Sequence, residues 1–398
     1  MIALQPSDTD LVALLQYFVS IPSVNPGFAD PGDDPSHFGE KRYAEALAEE
    51  LHRIGCQVWL DEVLPDRHNV MARLPGSVGN HSIALQSHLD TVQVAGMTVS
   101  PWGKLEGDRL YGRGSSDPKA STVAQLAALR YIQEKDIAAD VYFVGTVDEE
   151  LSFKGALQVA ENYKFDACIV GEPTDMAPII AHKGAVRFEL IAEGVSCHSS
   201  NPQLGRNAIL EMMSLLAAFQ KPFTDYTSAQ THPLTGPATW APTLIEGGSG
   251  LNTIPSSCSL AIDRRLVPGE TPEQVLSFID DWVAKQRAKG HPWQKGRVFT
   301  IDPPLEPDPT SDVLIALQEA LQIIGLNPQP QGVAYGTDAS KIALSGTPCI
   351  VFGPGSITKA HSADEWVDVS AINPAAKALA TTIEILDRKW RHAANGSI

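Results

Sequence analysis

The chain has 398 residues, a formal net charge of −17 and an ordinary globular composition, 43% hydrophobic and 19% charged. That length suits two domains around a large core; the acidic balance excludes a nucleic-acid partner, because phosphate binding needs a basic face; and no apolar run approaches the ~20 residues of a membrane span. The opening MIALQPSDTD lacks a basic segment followed by an apolar one, so no secretory signal is expected, and five scattered cysteines (Cys56, Cys168, Cys197, Cys258, Cys349) read as reduced core thiols of a cytoplasmic protein.

SDTDLVALLQYFVS opens on a cap signal and has helical spacing. The turn-rich loop NPGFADPGDDPSHFGE follows and is long enough to border a site. KRYAEALAEELHRIG is an amphipathic helix ending at Gly55. QVWLDEV, NVMARLPG and the near-continuously apolar SIALQSHLD read as strands, DPKASTVAQLAALRYIQE as a helix, DVYFVGTV and ACIVGEPT as strands. This alternation predicts an α/β sheet covered on both faces. Near Pro178 the pattern changes. Strand VRFELIAEG, helix GRNAILEMMSLLAAF, strands ATWAPTLIEGG and SCSLAIDRRLV, helix TPEQVLSFIDDWVAKQRAKG and strand RVFTIDP spell β-α-β-β-α-β, the split ferredoxin-like unit. After the Pro-rich link PPLEPDPT come helix SDVLIALQEALQIIG, strand PCIVFGPG and a closing helix with Asn373-Pro374 as its cap and first-turn pair. The expected fold is therefore a mixed-sheet α/β catalytic domain, residues 1–177 and 298–398, interrupted by a ferredoxin-like α+β domain, residues 178–297.

VYFVGTVDEELSF raises a physical question, because an apolar strand runs into Asp148, Glu149 and Glu150, whose charges repel. Ligands of α/β sheets bind beyond the carboxyl ends of the strands, and those ends are where the polar residues gather. SIALQSHLDTV ends in His88 and Asp90, ACIVGEPT in Glu172; GRGSSDPKAS places Asp117 at the mouth of a helix, which it could also simply cap, and KAHSADEWV places His361 in a polar loop after a strand. Each alone reads as a solvated surface group; together they mark one sheet edge. Imidazoles and carboxylates without thiolates suit Zn²⁺, Co²⁺ or Mn²⁺. Two imidazoles and three carboxylates exceed one catalytic ion and suffice for two ions ~3.5–4 Å apart with a bridging carboxylate. One glutamate of the pair then binds metal and its neighbour stays available as a general base.

The segments SHLDTV, GRGSSDPKAS, VDEELSFKGA, GEPT, CHSSNPQLGRNAI, GGSGLNTIP, DRRLVPGE, YGTDAS, FGPG and AHSADEWV occur in the order of, and together resemble, the M20 family of metallopeptidases and deacylases. That family includes acetylornithine deacetylases, succinyl-diaminopimelate desuccinylases and glutamate carboxypeptidases. The resemblance implies that His88 and Glu172 bind one metal, Glu150 and His361 the other, and Asp117 both, with Glu149 as general base and Asp90 behind His88. It implies a cis peptide after the bridging aspartate, which Pro118 suits. It further implies an oxyanion role for His198, usually from a partner subunit, and substrate-binding positions at Asn252, Arg265, Thr337 and Gly355. Arg264, next to Arg265, leaves the division of their roles open, and Cys197 stands where a small residue is usual. The implied activity is hydrolysis of the amide bond of an N-acyl amino acid through a water held between two divalent ions, Zn²⁺ before Co²⁺ or Mn²⁺. A metal-dependent exopeptidase acting on short peptides is the alternative. A cytoplasmic homodimer joined through the inserted lid domain is expected. No ligand or base is missing, which disfavours a non-catalytic binding protein. GRGSSD is not a full dinucleotide fingerprint, no Walker loop is present, and Lys183 has no context for a cofactor-bound lysine.

Overall fold

The runs IALQS, VYFVGT and ACIV leave no polar face, so they fold as strands buried on both sides. In the computed structural model, which describes residues 8–306 and 308–395, they form the middle of an eight-stranded mixed sheet. Its order is Gln57–Leu64, Arg67–Leu74, Asp140–Thr146, Ser82–His88, Ala167–Val170, Cys349–Val351, Ile179–His182, Gln331–Val333. The third to sixth strands run parallel, and antiparallel strands flank them. One face carries Ile83, Leu85, Val141, Phe143 and Ile169 into a core shared with helices Asp8–Ser20, Lys41–Ile54, Ala120–Ile132, Asp312–Ile323 and Ile372–Asn395. Helices Lys154–Asn162 and Ala339–Ile342 pack together on the opposite face. The Ser7 cap signal of the first helix and Pro307 of the Pro-rich link lie outside the described residues.

The chain divides into two compact units, residues 1–180, 307–331 and 337–398, and residues 181–306 with 332–336. The second unit contains a four-stranded antiparallel sheet in the order Thr239–Gly247, Ser257–Leu266, Gly184–Glu193, Trp293–Asp302. In Ser257–Leu266 alternate residues are buried, and Cys258, Leu260 and Ile262 face a core built with helices Ala208–Ser228 and Pro272–Ala288. This is the β-α-β-β-α-β pattern read from the sequence. The unit extends past residue 297 because the ladder to Gly184–Glu193 continues through Thr300, Ile301 and Asp302. Its first helix likewise runs past Phe219 and through Pro222, since Met212, Leu215, Phe219, Phe223 and Thr227 keep one buried stripe whose packing outweighs the missing N–H. Strand Thr239–Gly247 is an edge, with no further strand on its outer side among the described residues, and Leu244 and Ile245 on it are exposed.

Two expectations at helix starts are corrected. The closing helix begins at Ile372, one residue before Asn373, whose side chain instead accepts from Tyr131 Oη at 2.8 Å. Asp117 does not cap helix Ala120–Ile132, where Lys119 occupies the N-cap without a side-chain hydrogen bond.

Candidate metal centre and active site

Three parallel strands stop at one level and hand their next residues to a common rim. Ser82–His88 ends on His88, Asp140–Thr146 leads into Asp148, Glu149 and Glu150, and Ala167–Val170 leads into Glu172. The pairings His88↔Thr146 and Gln86↔Val170 fix that level. Asp117 enters from the turn before helix Ala120–Ile132, with a cis Asp117–Pro118 peptide. His361 enters from the loop after Cys349–Val351, at a left-handed φ of 58°.

Asp117 stands between the two histidines. Its Oδ1 lies 3.0 Å from His88 Nε2 and its Oδ2 3.2 Å from His361 Nε2. Glu172 Oε1 lies 3.9 Å from His88 Nε2, and Glu150 Oε1 lies 3.0 Å from His361 Nε2. Two ligand atoms ~2.1 Å from a tetrahedral ion sit roughly 3.4 Å from each other, and these separations bracket that value. His88, Asp117 and Glu172 could hold one cation; Asp117, Glu150 and His361 could hold another. A nitrogen and oxygen donor set without sulfur fits a borderline divalent ion. Glu149 lies with His88 and Glu150 in a third such group, yet its carboxylate takes no hydrogen bond from any described residue.

The electrostatics state the same need for positive charge. Burial pushes the Glu149, Glu150 and Glu172 carboxyls up, Glu149 and Glu172 far above the usual range, and the neighbouring carboxylates add to it. His361, hydrogen-bonded by Asp117 and Glu150, is raised to about 10. Burial opposes a charge on His88, but Asp117, Asp90 and the nearby glutamates hold its imidazole well above its ordinary value. Burial likewise opposes the Asp117 carboxylate, which the two imidazoles nevertheless keep well below normal. The three glutamates and both histidines are thus driven toward protonation, while Asp117 and Asp90, which face the imidazoles, are driven the other way. Such a rim is short of cations, and divalent ions would relieve it.

A ring of buried groups supports this rim. Asp90 Oδ1 accepts from Glu149 N at 3.0 Å and Oδ2 from Glu150 N at 3.1 Å, while His88 Nδ1 is 3.6 Å from Asp90 Oδ1 and 2.9 Å from its backbone oxygen. Asp148, the third acid of the run, turns away through φ 71° and pairs with Arg67 at 3.0 Å, which also clasps buried Glu40. Glu365 accepts from Ser116 N at 3.0 Å, Asp117 N at 3.2 Å and Arg113 Nη1 at 2.6 Å, so it ties the Asp117 turn to the His361 loop. Asp338 Oδ2 accepts from Gln86 at 2.7 Å and Thr146 at 2.6 Å, joining two strands just below the rim. Sequence reasoning missed Asn25, Glu40, Arg67, Arg113, Asp338 and Glu365 as parts of the site; each is near in space and distant in the chain.

The remaining expected residues divide between the units. Thr337 is buried, its hydroxyl accepting from Ala339 N at 3.2 Å. Gly355 has φ 88°, and a Cβ there would come within 2.6 Å of Ser116 Oγ, so the turn requires glycine. In the second unit His198 is exposed on the two-residue strand Cys197–His198, paired with Thr253–Ile254, and Asn252 O accepts from Ser199 N at 2.9 Å. His198 Nδ1 lies 2.7 Å from Ser200 Oγ and 3.2 Å from Ser200 N, so this ring nitrogen is occupied within its own loop. Arg264 and Arg265 separate clearly: Arg264 is fully buried against Glu270 at 2.5 Å, whereas Arg265 is partly exposed and pairs with Asp263 at 2.8 Å.

Comparison with known proteins places this geometry in a lineage. The model of Peptidase family M20/M25/M40 matches residues 84–385. The chain belongs to that family. It is a metal-dependent amidohydrolase of the M20 type. This M20 chain is 33% identical over 373 residues to an acetylornithine deacetylase of Vibrio atlanticus, covering 90% of this chain and 93% of that protein. Its fold matches a tripeptidase of Staphylococcus aureus, with a TM-score of 0.75, 20% identity and coverage of 97% and 100%. It also matches the YxeP protein of Bacillus subtilis, described as a dinuclear metal-binding peptidase from the M20 family, with a TM-score of 0.69, 16% identity and coverage of 95% and 98%. The M20 chain has no helix among its described residues long and apolar enough to cross a membrane.

Proposed function

We propose that this enzyme hydrolyses the amide bond of N-acyl amino acids, releasing a carboxylate and a free amino acid, with two divalent cations, most naturally Zn²⁺. His88 and Glu172 would bind one ion, Glu150 and His361 the other, and Asp117 both. When bound, the ions polarise the scissile carbonyl and acidify the attacking water. Glu149 takes a proton from that water and returns it to the leaving nitrogen. Asp90 orients the His88 ring and receives the N–H groups of both glutamates, which keeps the base and its neighbour in fixed relation. His198 is proposed to donate from Nε2 to the oxygen that becomes negative. Arg265, with Asn252, is proposed to hold the substrate carboxylate, while Thr337 and Gly355 are proposed to shape the substrate pocket.

One observation carries the reading: the adjacent glutamates differ. Glu150 Oε1 lies 3.0 Å from His361 Nε2, whereas the Glu149 carboxylate, grouped with His88 and Glu150, makes no hydrogen bond or ion pair within 4.0 Å to a described residue. A ligand and a base require that difference. The acyl-amino-acid substrate is supported by the relative named for acetylornithine deacetylation. The peptidase named among the solved structures shares only 20% identity and speaks for the fold alone. Turnover of N-acetyl and N-succinyl amino acids measured beside dipeptides tests the proposal; dipeptides as the better substrates would replace it with an exopeptidase.

The enzyme is further proposed to work as a homodimer joined through the second unit. Its support is the open edge Thr239–Gly247 with exposed Leu244 and Ile245, together with exposed Leu210 and Met213 on helix Ala208–Ser228.

A further inference from the structure

Asn25 lies in the turn-rich segment before helix Lys41–Ile54 and is completely buried. Its side chain makes three hydrogen bonds and uses both of its N–H donors. Nδ2 donates to Asp90 Oδ2 at 2.7 Å and to Asp148 Oδ1 at 3.1 Å, and Oδ1 accepts from Gly27 N at 2.9 Å. Two buried carboxylates therefore share one amide group between them. Only a neutral group with two N–H bonds on one atom can satisfy both without adding charge, and asparagine is the shortest side chain that offers it.

The backbone around Asn25 is fixed as firmly. Asn25 N donates to Thr91 O at 2.9 Å and Thr91 N donates to Ser23 O at 3.0 Å, so the segment forms a short bridge with the residue that follows Asp90. On its other side the segment meets the catalytic loop, where a Cβ added to Gly27 would come within 2.3 Å of Leu151 Cδ2. The segment thus touches the stretch after the His88 strand and the stretch after the Glu149–Glu150 pair, and Asn25 links their carboxylates. Asp90 in turn holds the Glu149 and Glu150 amides and faces His88. Arg67 balances the far end of the chain, between Asp148 and Glu40.

We infer that Asn25 is a positioning residue for the active site: by holding Asp90 and Asp148 together it sets where Glu149 and Glu150 stand relative to His88. The inference rests on the roles proposed above for Glu149 and His88. It acts through Asp90, so its signature is in turnover and metal affinity rather than in substrate binding. Asn25→Asp preserves the size of the side chain and replaces the shared donor with a third carboxylate; Asn25→Ala removes the bridge without adding charge.

The test compares both variants with Leu317→Ala, which weakens helix Asp312–Ile323 inside the core and far along the chain from these groups. Thermal unfolding measures the structural loss. Zn²⁺ competition with a chromophoric chelator, starting from metal-free protein, measures cation affinity, and steady-state kinetics at saturating Zn²⁺ separate kcat from KM. The expected result is a ~10–100-fold fall in kcat, in Zn²⁺ affinity, or in both for the Asn25 variants, as for loss of groups that orient metal ligands, with KM within about 3-fold of the parent. Leu317→Ala should lower the unfolding temperature and leave kcat and Zn²⁺ affinity per folded molecule unchanged. If the Asn25 variants behave like Leu317→Ala, or keep parental kcat and affinity, the inference is overturned. Glu149→Gln is run alongside: if it stays active, the proposed function fails, and that failure is distinct from the outcome at Asn25.

Discussion

His361 and Glu150 are 211 positions apart in the chain, and their Nε2 and Oε1 atoms lie 3.0 Å apart. The His361 imidazole is raised to about 10 by its hydrogen bonds to Asp117 and Glu150, which favours its protonated form at neutral pH. A divalent ion has to displace that proton. Metal binding at neutral pH should therefore release protons, and affinity should fall as the pH is lowered. For the metal-free protein the sign is opposite: stabilisation by the raised His361 pKa is complete below the unfolded value near 6.5 and is lost as the pH rises through about 10. Calorimetry of Zn²⁺ binding in two buffers of different ionisation enthalpy counts the protons; a buffer-independent heat would contradict the site.

Protein purified without chelator should carry close to two transition-metal ions per chain, and removing them should abolish turnover. Elemental analysis before and after reconstitution with Zn²⁺, Co²⁺ or Mn²⁺ checks this. An absence of binding after reconstitution would remove the metal centre from consideration.

Glu149→Gln should retain both ions and lose roughly 10²–10⁴-fold in turnover, because an amide cannot accept the water proton. Glu150→Gln should instead lose or weaken the ion shared with His361. Metal content paired with kcat decides between them; the reverse pattern exchanges the two roles.

Arg264→Ala should cost about 3–5 kcal/mol of stability, since it leaves Glu270 buried and unpaired. Arg265→Ala should barely move the unfolding temperature and should raise KM for a substrate bearing a carboxylate. Denaturant unfolding and kinetics on the same two variants separate a structural arginine from a recognition arginine.

His198→Ala should bind metal normally and turn over slowly. Mixed with Glu149→Gln, it should recover some activity if a partner's His198 completes the site, because one site of the mixed dimer has both groups. Differently tagged chains establish that subunits exchange. Confirmed mixed dimers without activity would confine His198 to its own chain or remove its role. Ile245→Lys should yield monomers in sedimentation, and the same Zn²⁺ content as the parent.

The proposed metal ligands and base were readable where a strand pattern stopped. His88 ends its strand, and Glu149, Glu150 and Glu172 follow theirs within two to four residues, so the sheet's own geometry brings them level. Asp117 and His361 come from turns, and no local periodicity says where a turn will point; each was legible as a candidate only from its place beside a helix mouth or after a strand, and the resemblance in motif order gave it a role. The supporting residues gave no local signal. Arg67 meets Glu40 from 27 positions away, and Arg113 meets Glu365 from 252. Neither pair stands out in a chain with 30 basic and 47 acidic residues, because what distinguishes it is burial. Asn25 read as part of a turn-rich loop, and its backbone is one; its function depends on two carboxylates that sequence places 65 and 123 residues away. The capping role open to Asp117 failed for a related reason: Glu365 takes its N–H, and its own oxygens are drawn to the histidines.

Under the proposed dimer, the open edge Thr239–Gly247 has a further consequence, for handling the separated chain. A bare row of N–H and C=O groups with exposed Leu244 and Ile245 recruits any extended chain, folded or not, and so invites aggregation. Pro242 has no N–H to offer, and the register is irregular between Pro242 and Leu244, which leaves only a brief regular stretch beyond it. A charge at Ile245 that blocks dimers should therefore also shield the bare edge, whereas dissociation by dilution or mild denaturant leaves it uncovered. The charged monomer should stay soluble at concentrations where the dissociated parent precipitates.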